Sequence, residues 1–323
     1  MIPGRFLYLL WHRPIGAVKR SIREGGPVEQ WITEQGRQMM EQAAWQLGAG
    51  NEFGIRNSEF ENKVKSTGLK PLEVQVLTGK KYWYQTAFCL HSLGQVAGRE
   101  IVPMVHDDGS LQPEQIEVFR RICPRTKVES RVEIEERIER VLPREKFPFL
   151  RKRRDELPLI KKITDIHAGR EGWRLFLDAD LLFFRKPAFL LDWWDRPGRS
   201  IHGVDVINAY GYPLEVLAEV GGRPVPEKVN TGITGLNSDE IDWGKMERWC
   251  WALTVDHPAH YYQDQALVAL HLAEREREAI PAKDYVTLPE PPEARECRAV
   301  MHHYVDLSKK WYFRENWKKV LRD

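Results

Sequence analysis

The sequence predicts an α/β fold, a mostly parallel central sheet flanked by helices, and three observations predict it. From Val74 onward, short apolar runs alternate with longer amphipathic stretches, the order that produces parallel strands with covering helices. The chain has 323 residues, 42% of them hydrophobic and 30% charged, enough for a large buried core in a globular protein. Trp173 to Leu177 is an apolar strand too short for a helix, and it runs directly into Asp178-Ala179-Asp180. A strand that ends this way places acids at the carboxyl edge of a sheet, where open α/β sheets bind ligands.

Residues 1–72 read as an N-terminal helical extension, and residues 73–323 as the main domain. Within the extension, Ile15 to Arg23 is basic and is broken by Gly25-Gly26-Pro27. Together with nearby aromatics it suits peripheral contact with a membrane surface or an acidic partner. Glu29 to Leu47 has helical spacing, with Trp31, Met39 or Met40, Ala43 and Leu47 on one side, and Gly48-Ala49-Gly50 ends it. The extension is expected to supply no metal ligand, and its removal to leave nucleotide binding measurable.

In the main domain, Val74 to Leu77 is the first strand and Tyr82 to Leu93 a helix closed by Gly94. Between them, Thr78-Gly79-Lys80-Lys81 forms a strand-to-helix turn suited to phosphate. Ile101 to His106 is a strand. Pro113 opens a helix with Ile116, Phe119 and Ile122 on one face. Val128 marks a short strand, and Glu133 to Leu142 is a charged helix. Pro143 to Pro158, with Arg151, Lys152, Arg153 and Arg154, reads as a solvated basic loop. Leu157 to His167 is helical and leads to the Asp-x-Asp strand. Beyond it, Ile201 to Val204 is a strand and Tyr212 to Val220 a helix. Asn230-Thr231-Gly232 reads as a tight turn entering a strand, Trp243 to Val255 as a helix, and Asp264-Gln265 as the entry to a further helix. Tyr285 to Leu288 and Ala299 to His303 are late short strands.

Two carboxylates brought together are costly unless a cation or a proton is shared. A hard divalent metal takes carboxylate oxygens and leaves positions open for phosphates. Asp178 and Asp180 are therefore read as ligands of a metal that also holds a substrate phosphate.

The ordered set Leu177-Asp178-Ala179-Asp180, Asn230-Thr231-Gly232, Asp264-Gln265, and His303 with Lys309 and Trp311 resembles the retaining GT-A glycosyltransferases of family 8, the glycogenin and lipopolysaccharide galactosyltransferase type. That family carries an LDxD strand end, an NSG or NAG turn, a DQ pair before a helix, and a C-terminal HxxGxxKPW motif. In this chain Asp306 stands where the last motif has Gly, and Lys310 where it has Pro. The resemblance spans about Val74 to Trp311. It implies the GT-A fold, with 73–323 as catalytic domain, and transfer of a hexose from a nucleotide-diphosphate sugar, UDP-sugar favoured, with retention. Carried over by position, it makes Asp178, Asp180 and His303 ligands of Mn²⁺ or Mg²⁺, with Asp178 also facing the nucleotide. Lys309 would hold the diphosphate, Asn230 and Gly232 the donor sugar region, Asp264 the sugar hydroxyls, and Gln265 would stand near the anomeric carbon. Lys161 falls at a donor-binding position, with Lys162 the close alternative. Apart from the resemblance, the strand-to-helix turn makes Thr78, Gly79 and Lys80, with Lys81 the alternative to Lys80, candidate nucleotide contacts. The acceptor is a carbohydrate, lipid or protein.

Other classes fit less well. Lys plus Arg number 49 against 47 Asp plus Glu, so nothing points to nucleic acid. A phosphatase with a strand-end DxDx(T/V) motif would place a small residue where Leu182 stands. A nucleotidyltransferase of related fold would show a richer Gly loop than Thr78-Gly79-Lys80-Lys81. A non-catalytic sugar-nucleotide-binding domain would have no need of the Asp, Asp and His set. The cysteines Cys89, Cys123, Cys250 and Cys297 form no CxxC pair, which suits reduced thiols and a cytoplasmic protein. No apolar run approaches the roughly 20 residues of a membrane span.

Overall fold

The computed structural model describes residues 26–49 and 69–321. The basic stretch Ile15 to Arg23, and with it the expected membrane contact, lies outside the described residues. The first described element is helix α1 (Gly26–Ala44). Its buried side is Gly36, Met40 and Ala44. Trp31 and Met39, expected on the packed side, are exposed, because the small residue at 36 allows closer approach than Trp31 would.

The main domain then runs β1 (Leu72–Thr78), α2 (Trp83–Val96), β2 (Ile101–Asp107), α3 (Pro113–Ile122), β3 (Lys127–Glu129), α4 (Arg131–Val141), α5 (Pro148–Glu156), α6 (Lys161–His167) and β4 (Trp173–Leu177). There follow β5 (Leu181–Phe183), α7 (Ala188–Asp195), β6 (Ser200–Val204), α8 (Leu214–Gly221), β7 (Val229–Asn237), α9 (Trp243–Val255) and α10 (Gln263–Ala273). The last elements are β8 (Arg277–Ala279), β9 (Tyr285–Thr287), α11 (Pro291–Glu296) and β10 (Met301–His303). The large sheet has the order β3-β2-β1-β4-β7-β6-β8, and a small sheet has the order β5-β10-β9. Strands β3, β2, β1 and β4 are parallel. Only β7 runs against its neighbours β4 and β6, so the sheet is mainly parallel as the alternating pattern predicts.

Two apolar layers enclose the large sheet. One holds Val74, Val76, Leu175 and Leu177 against α1, α2 and the small sheet. The other gathers Ile134, Leu150, Ile163, Trp249 and Leu267 from α4, α5, α6, α9 and α10. Side chains alternate along a strand, so Gln75 of β1 points away from the first layer. It meets His106 at 3.0 Å, and His106 meets Glu129 at 2.9 Å. Arg137 donates to Glu129 at 2.9 and 2.8 Å.

Three readings are corrected. Gly94 lies inside α2, and the chain leaves the helix past Ala97, with Gly98 at φ +67°. Asn230-Thr231-Gly232 is strand, paired within β7, rather than a turn. The basic stretch 143–158 is not a solvated loop: most of it forms α5, and Arg151, Arg153 and Arg154 are buried. Arg154 donates to Asp165 at 2.6 and 2.9 Å and to Glu135 at 3.0 and 2.8 Å. A buried guanidinium needs such partners, and the carboxylates that supply them lie on other elements, where local charge density does not reveal them.

Burial opposes ionisation of Glu129, but His106 and Arg137 outweigh it and take its pKa from the usual 4.5 to about 2. A depressed carboxylate pKa stabilises the fold above the unfolded value, and that stability is lost as pH falls through the folded value. We expect the parent to lose stability as pH falls from 4.5 toward 2. Glu129→Gln should lose that part of the acid dependence and destabilise the protein by about 3 kcal/mol, measured by urea unfolding across pH.

Candidate active site

Three chain crossings build the site. The chain leaves the large sheet at Leu177 and enters the small sheet at Leu181, so Asp178-Ala179-Asp180 bridges the two. In the small sheet His303 pairs with Leu181, which sets its ring beside Asp180. On the other side Leu177 pairs with Ile233 of β7, and the Asp178 amide donates to the Gly232 carbonyl at 2.8 Å. His303 Nε2 lies 3.3 Å from Asp180 Oδ1 and 3.7 Å from Asp178 Oδ2. One ligand atom from each of the three residues falls within 4.8 Å of the others.

Gly232 is required by this convergence. A Cβ there would run into the His303 ring and Asn230 Oδ1. The Gly232 amide donates to Asn230 Oδ1 at 2.9 Å, and Asn230 Nδ2 donates to Asp205 at 2.9 Å. Asp205, just past β6, steadies the motif, and its isolation in sequence gave no signal of this.

Two ammonium groups complete the electrostatics. Lys162 Nζ donates to Asp178 at 2.7 Å, and Lys309 Nζ to Asp180 at 3.0 Å. Burial pushes the Asp178 carboxyl up, against the pull of Lys162. Burial also opposes ionisation of Asp180, but Lys309 and His303 prevail and hold it well below the usual carboxylate range. Desolvation works against the Lys162 ammonium, yet Asp178 and Asp264 outweigh it and raise its pKa. Of the two candidate lysines, Lys162 is the one that meets the acid pair. Lys161 is half-buried near Arg131 and Asp165, with burial lowering its pKa. One residue along a helix is a rotation of about 100°, from the carboxylates to the α4 side.

Asp264 and Gln265 open α10 at the same site. Thr231 Oγ1 donates to Asp264 Oδ2 at 2.9 Å, and Asp264 Oδ1 is buried with no hydrogen-bond partner among the described residues. Burial pushes this carboxyl up. Gln265 is engaged at both ends: its Oε1 accepts from the Thr231 amide at 3.3 Å and its Nε2 donates to Ala209 O at 2.7 Å. Thr231 was not singled out by sequence, although it stands inside the motif.

The register of Gln75 with Phe176 carries Thr78, Gly79 and Lys80 to the same sheet edge as the acid pair. Thr78 accepts from the Thr86 hydroxyl at 2.9 Å, and the Lys80 amide donates to Ser110 at 2.8 Å. A Cβ on Gly79 would meet the Asp108 carboxylate, so glycine lets these two loops close on each other. In the C-terminal motif Asp306 adopts φ +46°. This is the left-handed region that glycine enters without strain.

The three clustered donors suit a hard divalent cation: two carboxylates and an imidazole on separate segments, with ammonium groups supplying positive charge at the same carboxylates.

No family model and no curated protein matches this chain. Among solved structures, it is similar to the galactosyltransferase LgtC in complex with donor and acceptor sugar analogs. The identity is 13% over 77% of this chain and 95% of that chain, with a TM-score of 0.51. It is also similar to the apo structure of the bifunctional glycosyltransferase WbbM, at 12% identity and a TM-score of 0.50, over 78% of this chain and 51% of that one. The chain has the GT-A fold.

Gly232→Ala should push the His303 ring aside and weaken Mn²⁺ binding about 10- to 100-fold, as displaced ligand support does, read by calorimetry on a folded protein. Lys162→Ala should raise the Kd for a nucleoside diphosphate with Mn²⁺, whereas Lys161→Ala should leave it near the parent value. Equal effects of the two lysines would contradict the assignment.

Proposed function

We propose that the protein is a metal-dependent glycosyltransferase that moves a sugar from a nucleoside diphosphate donor, a UDP-sugar favoured, to a carbohydrate, lipid or protein acceptor. The observation that carries this is the meeting of Asp178, Asp180 and His303 with Lys309 and Lys162 at the carboxyl edge of a GT-A sheet. Cleaving a glycosyl-phosphate bond leaves negative charge on the departing diphosphate. A divalent ion, Mn²⁺ or Mg²⁺, held by these three residues supplies Lewis-acid stabilisation of that charge.

The protein's own groups do the rest. Lys309 reaches the diphosphate from the ammonium position it holds beside Asp180, and its charge adds to stabilisation of the leaving group. No protein acid is then needed to protonate it. Asp264, buried with Oδ1 unpartnered, is placed to accept from donor-sugar hydroxyls. Lys162 lies between Asp178 and Asp264, so it links the phosphate side of the site to the sugar side. Gln265 and Thr231 hold the floor beneath the sugar, and Asn230 fixes the Gly232 backbone next to the metal ligands. Thr78, Gly79 and Lys80 border the nucleotide. The family resemblance supports a hexosyl donor and retention.

Residues 73–323 are read as the catalytic domain, with 1–72 as an extension and its basic stretch as a membrane-facing element. Cys89, Cys250 and Cys297 are buried thiols without a disulfide among the described residues, which supports a reducing compartment such as the cytoplasm. Among the described residues no helix is long and apolar enough to cross a membrane.

A nucleoside diphosphate that binds the native state raises the melting temperature by linkage. UDP is expected to do so only with Mn²⁺ or Mg²⁺ present. Asp180→Ala should abolish that shift and His303→Ala should reduce it, both in a protein that remains folded. A metal-independent shift, or a full shift with Asp180→Ala, overturns the reading.

A further inference from the structure

The segment that carries Lys309 is short and irregular. After His303 the chain makes a turn through Asp306–Ser308, a single helical turn at Lys309–Trp311, and a π-helical turn at Tyr312–Asn316. Its inner side is tied to the core. Tyr304 stacks on Tyr312 at 4.8 Å, and the Tyr304 hydroxyl accepts from Asn316 at 2.8 Å. Its outer side meets α1, a helix that precedes the part of the chain resembling the glycosyltransferase motifs. Arg314, five residues beyond Lys309, donates to Thr33 Oγ1 at 2.9 and 2.7 Å, and also to the Glu29 carboxylate and the Glu29 carbonyl. Gly36 faces the Phe313 carbonyl so closely that a Cβ would collide with it. The same helix reaches the other rim of the sheet edge. Trp45 lies 4.3 Å from the Trp83 ring at the start of α2, and Arg37 lies over the Tyr84 ring at 6.0 Å.

Lys309 itself is loosely packed. Its side chain is 38% exposed. A cavity of about 220 Å³, lined by Thr33, Arg37, Asp306 and Phe313 among others, lies between the lysine and α1. Close packing therefore does not fix the ammonium at Asp180; the backbone of 306–316 does, and on its outer side that backbone leans on α1.

We infer that α1 is a positioning element for the diphosphate lysine: the Arg314 clamp on Glu29 and Thr33, with the Gly36–Phe313 contact, holds the 306–316 segment so that Lys309 reaches the phosphates. This rests on the glycosyltransferase reading and gives the N-terminal extension a part in the strength of nucleotide binding. Arg314 and Gly36 are positioning residues that act through Lys309. The metal ligands are held independently, since His303 is fixed by its pairing in the small sheet.

The test uses the full chain with Arg314→Gln, Lys309→Ala and the double variant, and calorimetry with Mn²⁺ alone and with UDP in saturating Mn²⁺. Arg314→Gln should weaken UDP binding about 10-fold, as loss of supporting contacts does, while Mn²⁺ alone binds within about 2-fold of the parent. In the Lys309→Ala background Arg314→Gln should add no more than about 2-fold, because the two act on one interaction. Gly36→Leu attacks the contact from the helix side and should repeat the result; should it fail to fold, Arg314→Gln decides. Parent-like UDP binding by Arg314→Gln, losses that multiply in the double variant, or an equal loss of Mn²⁺ affinity would each overturn the inference. A parent that binds none of UDP, GDP and ADP with Mn²⁺ removes the functional reading and this inference with it.

Discussion

Holding two carboxylates together with a single residue between them is the constraint on which the rest of the site depends. Like charges at this distance resist joint ionisation, and this chain meets the problem with geometry as well as cations. Asp178 and Asp180 sit on the bridge between two sheets, so each can face its own ammonium, Lys162 from α6 and Lys309 from the C-terminal segment. The pairing of His303 with Leu181 then closes the third side. Elements from the middle and the end of the chain must all dock before the acid pair is electrically balanced. The fold and the site are in this sense one structure.

The parts of this arrangement legible in the sequence are those with a local signature. Trp173–Leu177 is a strand because its composition allows little else, and Trp243–Val255 matches its periodicity over its whole length. The order of the motifs announced the GT-A sheet because the topology places each motif at one edge. What remained hidden depends on distant partners. The arginines of α5 look like a solvated run until Asp165 and Glu135 are seen to receive Arg154. Asn230-Thr231-Gly232 looks like a turn because Asn and Gly favour turns. Pairing with β6 overrides that preference and turns the glycine's lack of a side chain into room for His303. The choice between Lys161 and Lys162 turns on helix phase, which the short α6 pattern does not fix.

Polar side chains around the acid pair are arranged with little slack. Gln265 uses both amide ends, and Asn230 uses both of its own. Asp264 is different, for one of its oxygens is buried and unmatched. An unmade hydrogen bond in a buried place is expensive, and most buried polar atoms are satisfied. A buried carboxylate oxygen left open among engaged groups is therefore a position where an incoming hydroxyl donor would gain most.

The segment that carries Lys309 includes a strained backbone position. Asp306 occupies a left-handed conformation that a glycine would enter freely, at a cost of about 1 kcal/mol or more for a non-glycine residue. Lys310, in place of a proline, lies with Arg295 against the Trp311 ring, at 5.5 and 5.4 Å. A strained backbone position persists only where the surroundings over-determine it. Here the surroundings are the Tyr304–Tyr312 stack on the inner side and α1 on the outer side. The strained Asp306 and the close Gly36–Phe313 approach thus lie on one segment. Placement of Lys309 therefore depends on contacts from both ends of the described chain, α1 on one side and the Tyr304–Tyr312 stack on the other.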